Sequence, residues 1–347
     1  MKLLYTTTLL GLLLIACGGG SSSEDTPTPV EPPTTVEPTS APLVSFSISD
    51  APSDSVTSVN VTFSSISLKS DNDDEDDDSG LEIPILDDSG NPTTMTIDLM
   101  DYQGGDEKLI ISNIEVSAGD YTSFVLNTSD CPQNQNGSTE FCWVVDSEGI
   151  KPLKTPSNKL KLGAFSISSD LEQAYTIEFN LRSSMTNTAG GASYNLKPHG
   201  IRIVNGAEVG SLTGVVDVNL LTAGDECETV FEENTDHGKV VYLYEGDIAE
   251  GTVMGDEYDP NEAQNEIPDN VVMPYASDSI SFDTDTDIIS YAFAHLPAGN
   301  YTVAFSCSAV GDGSVEYDGL TISNPSEQQH SVTISANVES TANFIEN

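Results

Sequence analysis

The stretch VSAGDYT (Val116–Thr122) returns in the second half of the chain as LPAGNYT (Leu296–Thr302). In both copies a small residue and a glycine, which can adopt a positive φ, turn the chain just before a tyrosine. A buried tyrosine whose hydroxyl bonds back to the turn is a known way to close a corner of a β-sandwich. We therefore predict structural corners at Tyr121 and Tyr301 rather than ligand contacts, since one aromatic per turn makes no stacking platform.

Apolar and polar side chains alternate along most of the remaining chain. Val44–Ile48 and Tyr175–Leu181 alternate cleanly, whereas Val59–Leu68 shifts phase, as a bulge or a bend in the strand would require. No segment shows a convincing helical period of about 3.6 residues. The pattern predicts an all-β protein with two tandem β-sandwich-like domains, residues 43–207 and 208–347.

The first residues have the composition of a lipoprotein signal peptide. Lys2 precedes an apolar run, Leu3–Ala16, that is too short to span a bilayer as a helix in the mature protein. The run ends in Leu14-Ile15-Ala16-Cys17, which has the pattern of a lipobox. Residues 1–17 are therefore interpreted as a lipoprotein signal peptide with its lipobox, and Cys17 as the residue that carries the lipid, including palmitate.

Residues 18–42 consist almost entirely of Gly, Ser, Thr, Glu and Pro, which predicts a flexible, disordered tether rather than a domain. Gly18 is not the aspartate that typically retains lipoproteins in the inner membrane. We expect a protein attached to the outer membrane through its N-terminal lipid, facing the periplasm or the cell surface. An envelope glycan or an envelope protein is the expected partner.

The charge of the chain is extreme and uneven. It has 56 acidic and 11 basic residues and a formal charge of −45, which excludes nucleic acid as a partner because the phosphates would be repelled. Four of the basic residues fall in one short stretch, at Lys151, Lys154, Lys159 and Lys161. They could meet an anionic polysaccharide, a lipid phosphate or a partner protein. Pairing with the surplus carboxylates nearby is the interpretation we favour, although each exposed pair contributes little.

Four cysteines remain if Cys17 is lipidated, and they allow three disulfide connectivities. In an oxidising compartment the simplest choice pairs Cys131 with Cys142 and Cys227 with Cys307, which gives one bridge to each half. A zinc site is the alternative. It is disfavoured because no CxxC spacing occurs and the four histidines are scattered.

An acidic run, Asp71–Asp78, separates two predicted strands. It must form a solvated loop because its charges repel one another. Clustered carboxylates are hard oxygen ligands that suit Ca²⁺, and extracellular calcium is abundant enough for a weak site. The run lacks the ordered glycine and the distal glutamate of an EF-hand loop, so a solvated insertion is the favoured interpretation. Weakly bound calcium is the one cofactor we consider, with the ligands Asp71, Asp73, Asp74, Asp76 and Asp78.

Sequence motifs of common enzymes are not found. No GxSxG, HExxH or GxxxxGK[ST] pattern occurs, and two disulfides would leave no cysteine as a nucleophile. Carboxylate pairs for glycoside hydrolysis carry no signal in a chain with 56 acidic residues. We therefore expect a non-enzymatic binding or spacer module. The alternative is a polymer-directed hydrolase with carboxylate catalysts that the sequence does not identify.

The first predicted domain resembles a family of bacterial lipoprotein domains whose function is undescribed. The resemblance starts at Ser49-Asp50-Ala51-Pro52, where the family usually has a Ser- or Thr-Asp-Ala-Pro sequence, and continues in the expected order to residue 205. It lends no activity, since the family has none described. The other matching segments are Val59–Leu68, Ile97–Leu99, Ser117–Tyr121, Pro156-Ser157, Leu160–Leu162, Phe179–Arg182 and Leu196–Pro198.

The second predicted domain is similar to the small prealbumin-like, or carboxypeptidase-regulatory-like, β-sandwich that is often fused to surface proteins. The similarity rests on Gly210–Val216, Val240–Tyr244 and Ala294–Tyr301. The sequence departs from that family at Asp283–Asp287, which replaces the usual turn glycine. The resemblance implies a spacer or a binding fold rather than a catalyst.

Overall fold

The computed structural model describes residues 41–51, 56–70, 80–129, 131, 139–188, 191–233, 238–283 and 285–346. Residues 40–347 form one compact unit. Nearly all of its regular secondary structure is β-strand, so the all-β prediction is confirmed. No helix among the described residues is long and apolar enough to cross a membrane.

Among its described residues, the first half contains thirteen strands and one short helix. Short 3-10 turns at Leu99–Asp101 and Pro156–Asn158 connect some of them. The elements are β1 Leu43–Ala51, β2 Ser58–Ser70, β3 Leu81–Pro84, β4 Met95–Asp98, β5 Lys108–Glu115, β6 Gly119–Thr128, β7 Trp143–Asp146, β8 Gly149–Lys154, β9 Lys159–Ile167, β10 Glu172–Asn180, α1 Leu181–Ser184, β11 Met185–Asn187, β12 Tyr194–Leu196 and β13 Ile201–Asn205.

These strands form two sheets that face each other across one core. The four-stranded sheet has the order β13-β10-β1-β5, and the nine-stranded sheet runs β11-β12-β8-β7-β2-β6-β9 with β3 and β4 also paired to β2. Fully buried rings from the two sheets meet in the core: Phe46 of β1 lies 5.5 Å from Phe124 of β6, and Phe179 of β10 lies 6.2 Å from Phe63 of β2. Each such ring contributes about 1.5–3 kcal/mol by burial.

The phase shift seen in the sequence of β2 is a register shift in the structure. The pairing of β2 with β6 slips between Phe63 and Ser65. As a result Val61 and Phe63 before the slip, and Ile66 and Leu68 after it, all point to the core. One extra residue keeps the apolar side chains on one face of the sheet.

The part of the second half that the structure describes contains ten strands and one helix. A 3-10 segment, Val218–Thr222, precedes the helix. The elements are β14 Val209–Val215, α2 Asp225–Glu233, β15 Val240–Glu245, β16 Val253–Met254, β17 Val271–Val272, β18 Ala276–Ser279, β19 Ser281–Asp283, β20 Ile288–Pro297, β21 Gly299–Ser306, β22 Gln329–Ile334 and β23 Glu339–Thr341.

Two four-stranded sheets enclose the core of the second half. Their orders are β19-β20-β14-β23 and β18-β15-β21-β22. Phe344 lies between them, 5.6 Å from Tyr291 of β20 and 5.8 Å from Phe305 of β21. The continuous apolar run Val240–Tyr244 is buried on both sides of β15, because Val241 and Leu243 join this core while Val240, Tyr242 and Tyr244 join a smaller cluster on the outer face.

Both predicted tyrosine corners are confirmed. The Tyr121 hydroxyl donates to the Ser117 carbonyl over 2.8 Å, and the Tyr301 hydroxyl donates to the Pro297 carbonyl over 2.9 Å. Gly119 takes the positive φ expected of it, 142°. The second copy differs, because there the positive φ falls on His295 before the turn, at 51°.

The strands of each half pair with strands of the same half. Within the described residues every strand pairing lies inside residues 43–205 or inside residues 209–341. The boundary expected between residues 207 and 208 falls in the short link between β13 and β14. Whether each half folds alone stays a prediction.

Candidate functional site: a buried polar junction

Segments of the family-like sequence motifs converge at one end of the four-stranded sheet. β1 and β10 run parallel, and their register pairs Asp50 with Phe179 and Ala51 with Asn180. Parallel strands end at the same edge of a sheet. Ser49–Ala51 of the first motif, at the end of β1, and the Phe179–Arg182 motif therefore finish side by side, facing the second half of the chain.

Asn180 fixes the turn that follows β10. Its side-chain oxygen accepts the amide N–H groups of Arg182 at 3.1 Å and Ser183 at 3.4 Å, which caps the short helix α1. Its side-chain nitrogen donates to the carbonyl of Ser277 in β18, 3.4 Å away. Gly200, at φ 77°, lies so close to this turn that a Cβ would be 2.6 Å from the Ser183 Cβ. The turn thus directs the next side chain, Arg182, towards the second half.

Arg182 forms the central ion pair of the junction. Its Nη2 lies 2.8 Å from Oδ2 of Asp312, and the side chains are 9% and 0% exposed. Its Nε and Nη1 donate to the hydroxyls of Ser277 at 3.2 Å and Ser279 at 3.4 Å. A guanidinium presents several donors in a fixed plane, so one residue of α1 is bonded both to β18 and to Asp312 in the other sandwich.

Asp312 also accepts hydrogen bonds from two residues of the second half. The Tyr242 hydroxyl donates to its Oδ2 over 2.6 Å, and the backbone N–H of Glu257 donates to its Oδ1 over 3.0 Å. Burial raises the pKa of Asp312, and the guanidinium of Arg182 and these hydrogen bonds oppose that rise. The charged partner and the two further donors favour the ionised form of this carboxyl group.

Glu257 contributes a second carboxyl group to the junction. It is 2% exposed, and its Oε2 accepts the hydroxyl of Ser183 over 2.8 Å. Burial, followed by the nearby charge of Asp312, raises the pKa of Glu257 to about 7. This carboxyl group therefore exchanges its proton near neutral pH while it is buried between the two halves.

A second cluster lies at the adjoining part of the same edge, around Arg202. The guanidinium pairs with Glu178 at 3.4 Å, donates to the carbonyl of Tyr275 at 2.7 Å and stacks on that ring, 4.2 Å from its centre. Asp50 belongs to the same region, and burial raises its pKa well above the ordinary value, with the charges of Glu178 and Asp278 adding to the rise. Lys197 forms a further ion pair with Glu262. Cations of the first half thus meet carboxylates or carbonyls of the second half at several points.

Several cavities open beside the junction. A cleft of about 430 Å³ lies between β11 and residues 311–318, where the Ser314 hydroxyl donates to the Met185 carbonyl over 3.0 Å. A cavity of about 360 Å³ lies next to His295, whose Nδ1 is 3.5 Å from Glu107. The cleft walls carry Asp312, Glu316 and Asp318.

The ion pairs and hydrogen bonds of this site hold the two sandwiches together. Asp50, Glu178 and Glu257 have raised pKa values and are at most 3% exposed, and the side chain of Asp312, whose pKa is also raised, is 0% exposed. A polymer could reach them only if the sandwiches separated. The described residues contain no group of three His, Cys, Asp or Glu side chains arranged to hold a metal ion.

The other predicted site residues have different outcomes. The structure contains the disulfides Cys131–Cys142 and Cys227–Cys307, the pairing favoured from the sequence. Cys17 and the proposed calcium ligands of the run Asp71–Asp78 lie outside the described residues. Lipidation and calcium binding therefore stay predictions.

The four clustered lysines separate into different surroundings. Lys151 pairs with the exposed Glu148 at 2.7 Å, as the favoured interpretation expects. Lys154 borders a cavity together with Lys197. Lys159 and Lys161 lie on another strand, where they line a cavity with Lys69. The favoured pairing with nearby carboxylates is thus observed for Lys151 among the described residues.

Comparison with known proteins agrees with the first of the two resemblances. Residues 42–198 match a family model. Its description is "Domain of unknown function (DUF4382)". The match covers the region from the first strand to the Leu196–Pro198 segment, and the description names no activity. No curated protein matches the sequence.

Three solved structures that resemble this chain are distant likenesses. A leucine-rich repeat protein from Bacteroides thetaiotaomicron is 13% identical with a TM-score of 0.21; the alignment covers 88% of this chain and 26% of that one. The minor pilin GBS52 of Streptococcus agalactiae is 11% identical with a TM-score of 0.17, covering 87% of this chain and 94% of the pilin. A fimbrial protein from Bacteroides ovatus is 9% identical with a TM-score of 0.19, covering 88% and 48%. Such low TM-scores do not establish a common fold.

Sequence reasoning noticed the Phe179–Arg182 motif but did not foresee the junction. Arg182 and Asp312 are 130 positions apart, and nothing local in the sequence links them. The one available signal is that Arg182 is an arginine in a chain with few cations, placed directly after a buried strand. Such a charge needs a partner when the strand end is covered.

Proposed function

We propose that the mature protein is a lipid-anchored lipoprotein of the outer membrane that binds or spaces components of the cell envelope without catalysis. The lipobox around Cys17 and the tether of residues 18–42 support the anchor. The prealbumin-like resemblance of residues 208–347 supports a spacing or binding role for the second sandwich. In a protein with this role, the first sandwich, which follows the anchor, must hold the second sandwich in a fixed position.

The observation that carries the proposal is the junction itself. The buried ion pair of Arg182 and Asp312, the bond from Ser183 to Glu257 and the contacts of Arg202 all connect the sandwiches. Asp50, Glu178 and Glu257 have raised pKa values and are buried in the junction, which supports a role in cohesion, whereas perturbed groups in an enzyme are expected in an accessible cleft. A firmly joined pair of sandwiches suits a protein that holds or presents something at a distance from the membrane.

A binding and turnover screen tests the proposal. The purified full-length protein is titrated with glycans and proteins of the envelope, and the same mixtures are assayed for released products with a general hydrolase panel. Saturable binding without turnover supports a binding module, and neither binding nor turnover supports a spacer. Turnover would overturn the proposal.

The alternative of a polymer-directed hydrolase makes its own prediction. The accessible carboxylates of the junction cleft are Glu316 and Asp318. Any turnover that is lost in Glu316→Gln or Asp318→Asn, but kept in Glu148→Gln on an exposed turn, would assign catalysis to this cleft. We expect no turnover for the wild-type protein or for any of these variants.

A further inference from the structure

The outer face of the nine-stranded sheet carries an unexpected group of cations. Lys159 and Lys161 of β9 are exposed, while Leu160 between them is buried, so both lysines project from the same outer face. The register of β9 and β6 places Lys159 opposite Asn127 and Lys161 opposite Val125. None of the described residues forms an ion pair with either lysine.

A third lysine comes from β2, on the other side of β6. Lys69 is opposite Ser123 in the ladder between β2 and β6, and together with Lys159 and Lys161 it lines a cavity of about 110 Å³. Gly80 closes one wall, where a Cβ would lie 2.1 Å from the carbonyl oxygen of Leu68. Three of the eleven basic residues of the chain thus surround one cavity that has room for an oxyanion group.

Uncharged polar groups of the sheet complete the surroundings. Ser67 and Ser123 line the cavity, and the Asn127 amide donates to the hydroxyls of Ser67 at 2.8 Å and Ser65 at 3.0 Å. One carboxylate, Glu82 of β3, belongs to this network and accepts the Ser65 hydroxyl over 2.8 Å. The face offers ammonium donors at its centre and hydroxyl and amide groups beside them.

Long-range repulsion does not rule out an anion at this place. Charges farther than about 8 Å are largely screened at physiological ionic strength, whereas an ammonium group in contact with a ligand lies well within this distance and is screened less. Hydrogen bonds between an ammonium group and a carboxylate or sulfate are about twice as strong as neutral ones. The many carboxylates of the chain also favour selectivity, since an anion binds favourably only where it contacts the lysines.

We propose that the face formed by Lys69, Lys159 and Lys161 binds an anionic polysaccharide, with one carboxylate or sulfate group in the cavity between the lysines. The sugar hydroxyls next to that group meet Ser67, Ser123 and Asn127, and this hydroxyl chemistry favours a glycan over a lipid headgroup. The inference rests on the proposed binding role and names the class of ligand.

Oligosaccharides of uronic acids and of sulfated sugars, titrated by calorimetry into the full-length protein, test this site. Wild-type protein binds at least one of the two probes, and Lys159→Gln/Lys161→Gln weakens binding by about tenfold or more. The matched control Lys108→Gln/Lys154→Gln makes the same change in net charge elsewhere and leaves affinity within about twofold. Equal losses in both double variants would show a general charge effect and overturn the site.

Two further arms separate the other ligand sources. The acidic run Asp71–Asp78 follows Lys69 and Ser70 directly in the sequence, so a variant with the aspartates of the run changed to asparagine is titrated in parallel. Unchanged or tighter glycan binding by this variant supports the lysine site. Loss of binding overturns it. Vesicles with anionic lipid are the competing probe. Lysine-dependent binding to the vesicles but not to either glycan would overturn the proposal.

The same mixtures distinguish failure of this inference from failure of the proposed function. Cleaved oligosaccharide in any sample would contradict the non-catalytic role wherever the ligand binds. The absence of binding to either glycan, with no cleavage, overturns the lysine site and leaves the anchored module intact.

Discussion

Replacing Arg182 with methionine probes the junction most sharply. The side chain keeps its apolar length but loses every hydrogen bond to Asp312, Ser277 and Ser279. The carboxylate of Asp312, which is 0% exposed, is left without its cation. The free energy of unfolding should therefore fall because a charge stays buried without its partner, and not only because a contact is lost.

The size of the effect follows from what Asp312 retains. Removing one partner of a buried ion pair costs about 3–5 kcal/mol. Asp312 keeps the Tyr242 hydroxyl and the Glu257 amide as donors, each worth about 1 kcal/mol, which places the expected loss near the lower end, at about 3 kcal/mol. In Arg182→Met/Asp312→Asn no buried charge is left alone, so about half of the loss should be recovered.

Urea unfolding of the purified protein measures these differences, with the slope of the transition compared between variants. The control is Lys151→Met, which breaks an ion pair of nearly the same length, 2.7 Å, whose carboxylate is 73% exposed. We expect only a small loss there, because an exposed ion pair contributes little to stability. If Arg182→Met cost no more than this control, or if the double variant were no more stable than the single one, the reasoning about the junction would be refuted.

Three other predictions concern the same framework. The pKa of Glu257 is raised to about 7, so the stabilisation of the folded protein by its protonated carboxyl group is present at low pH and is lost as the pH rises from the ordinary pKa of a glutamate through about 7. Glu257→Gln should flatten this decline in stability in melting curves recorded across that pH range. An unchanged decline would contradict the assignment. Tyr301→Phe removes the hydroxyl bonded to Pro297 and should cost about 1 kcal/mol in urea unfolding, whereas a neutral result would show that the corner does not depend on it. The Cys227–Cys307 bridge spans 80 positions and the Cys131–Cys142 bridge spans 11, so replacing each pair with alanine should cost about 4.5 and about 3 kcal/mol; the reverse order in calorimetry would speak against loop closure as the cause.

Local features of the fold were predictable from the sequence because short-range physics decides them. The corners at Tyr121 and Tyr301 depend on a turn four residues away, and both hydrogen bonds form as expected. The phase shift in β2 follows from keeping Phe63 and Ile66 on one face, and the register slips there. These features need only the neighbouring residues to be recognised.

The junction and the lysine face were not predictable in the same way, because they depend on which distant strands become neighbours. Arg182 finds Asp312 only after β10 has ended against the second sandwich. Lys69 joins Lys159 and Lys161 only because β6 lies between β2 and β9 in the sheet. Proximity in sequence was misleading here, since it grouped Lys151 with Lys161 although β8 and β9 are separate strands in different parts of the sheet.

Lipid attachment is the central claim of the proposed function, and palmitate labelling in cells that express the full chain tests it most directly. The wild-type protein should incorporate the label and sediment with membranes. Cys17→Ser should do neither, while its melting temperature stays that of the wild type because the substitution lies outside both sandwiches. Label that persists in Cys17→Ser, or a wild-type protein that takes up none and stays soluble, would contradict the account.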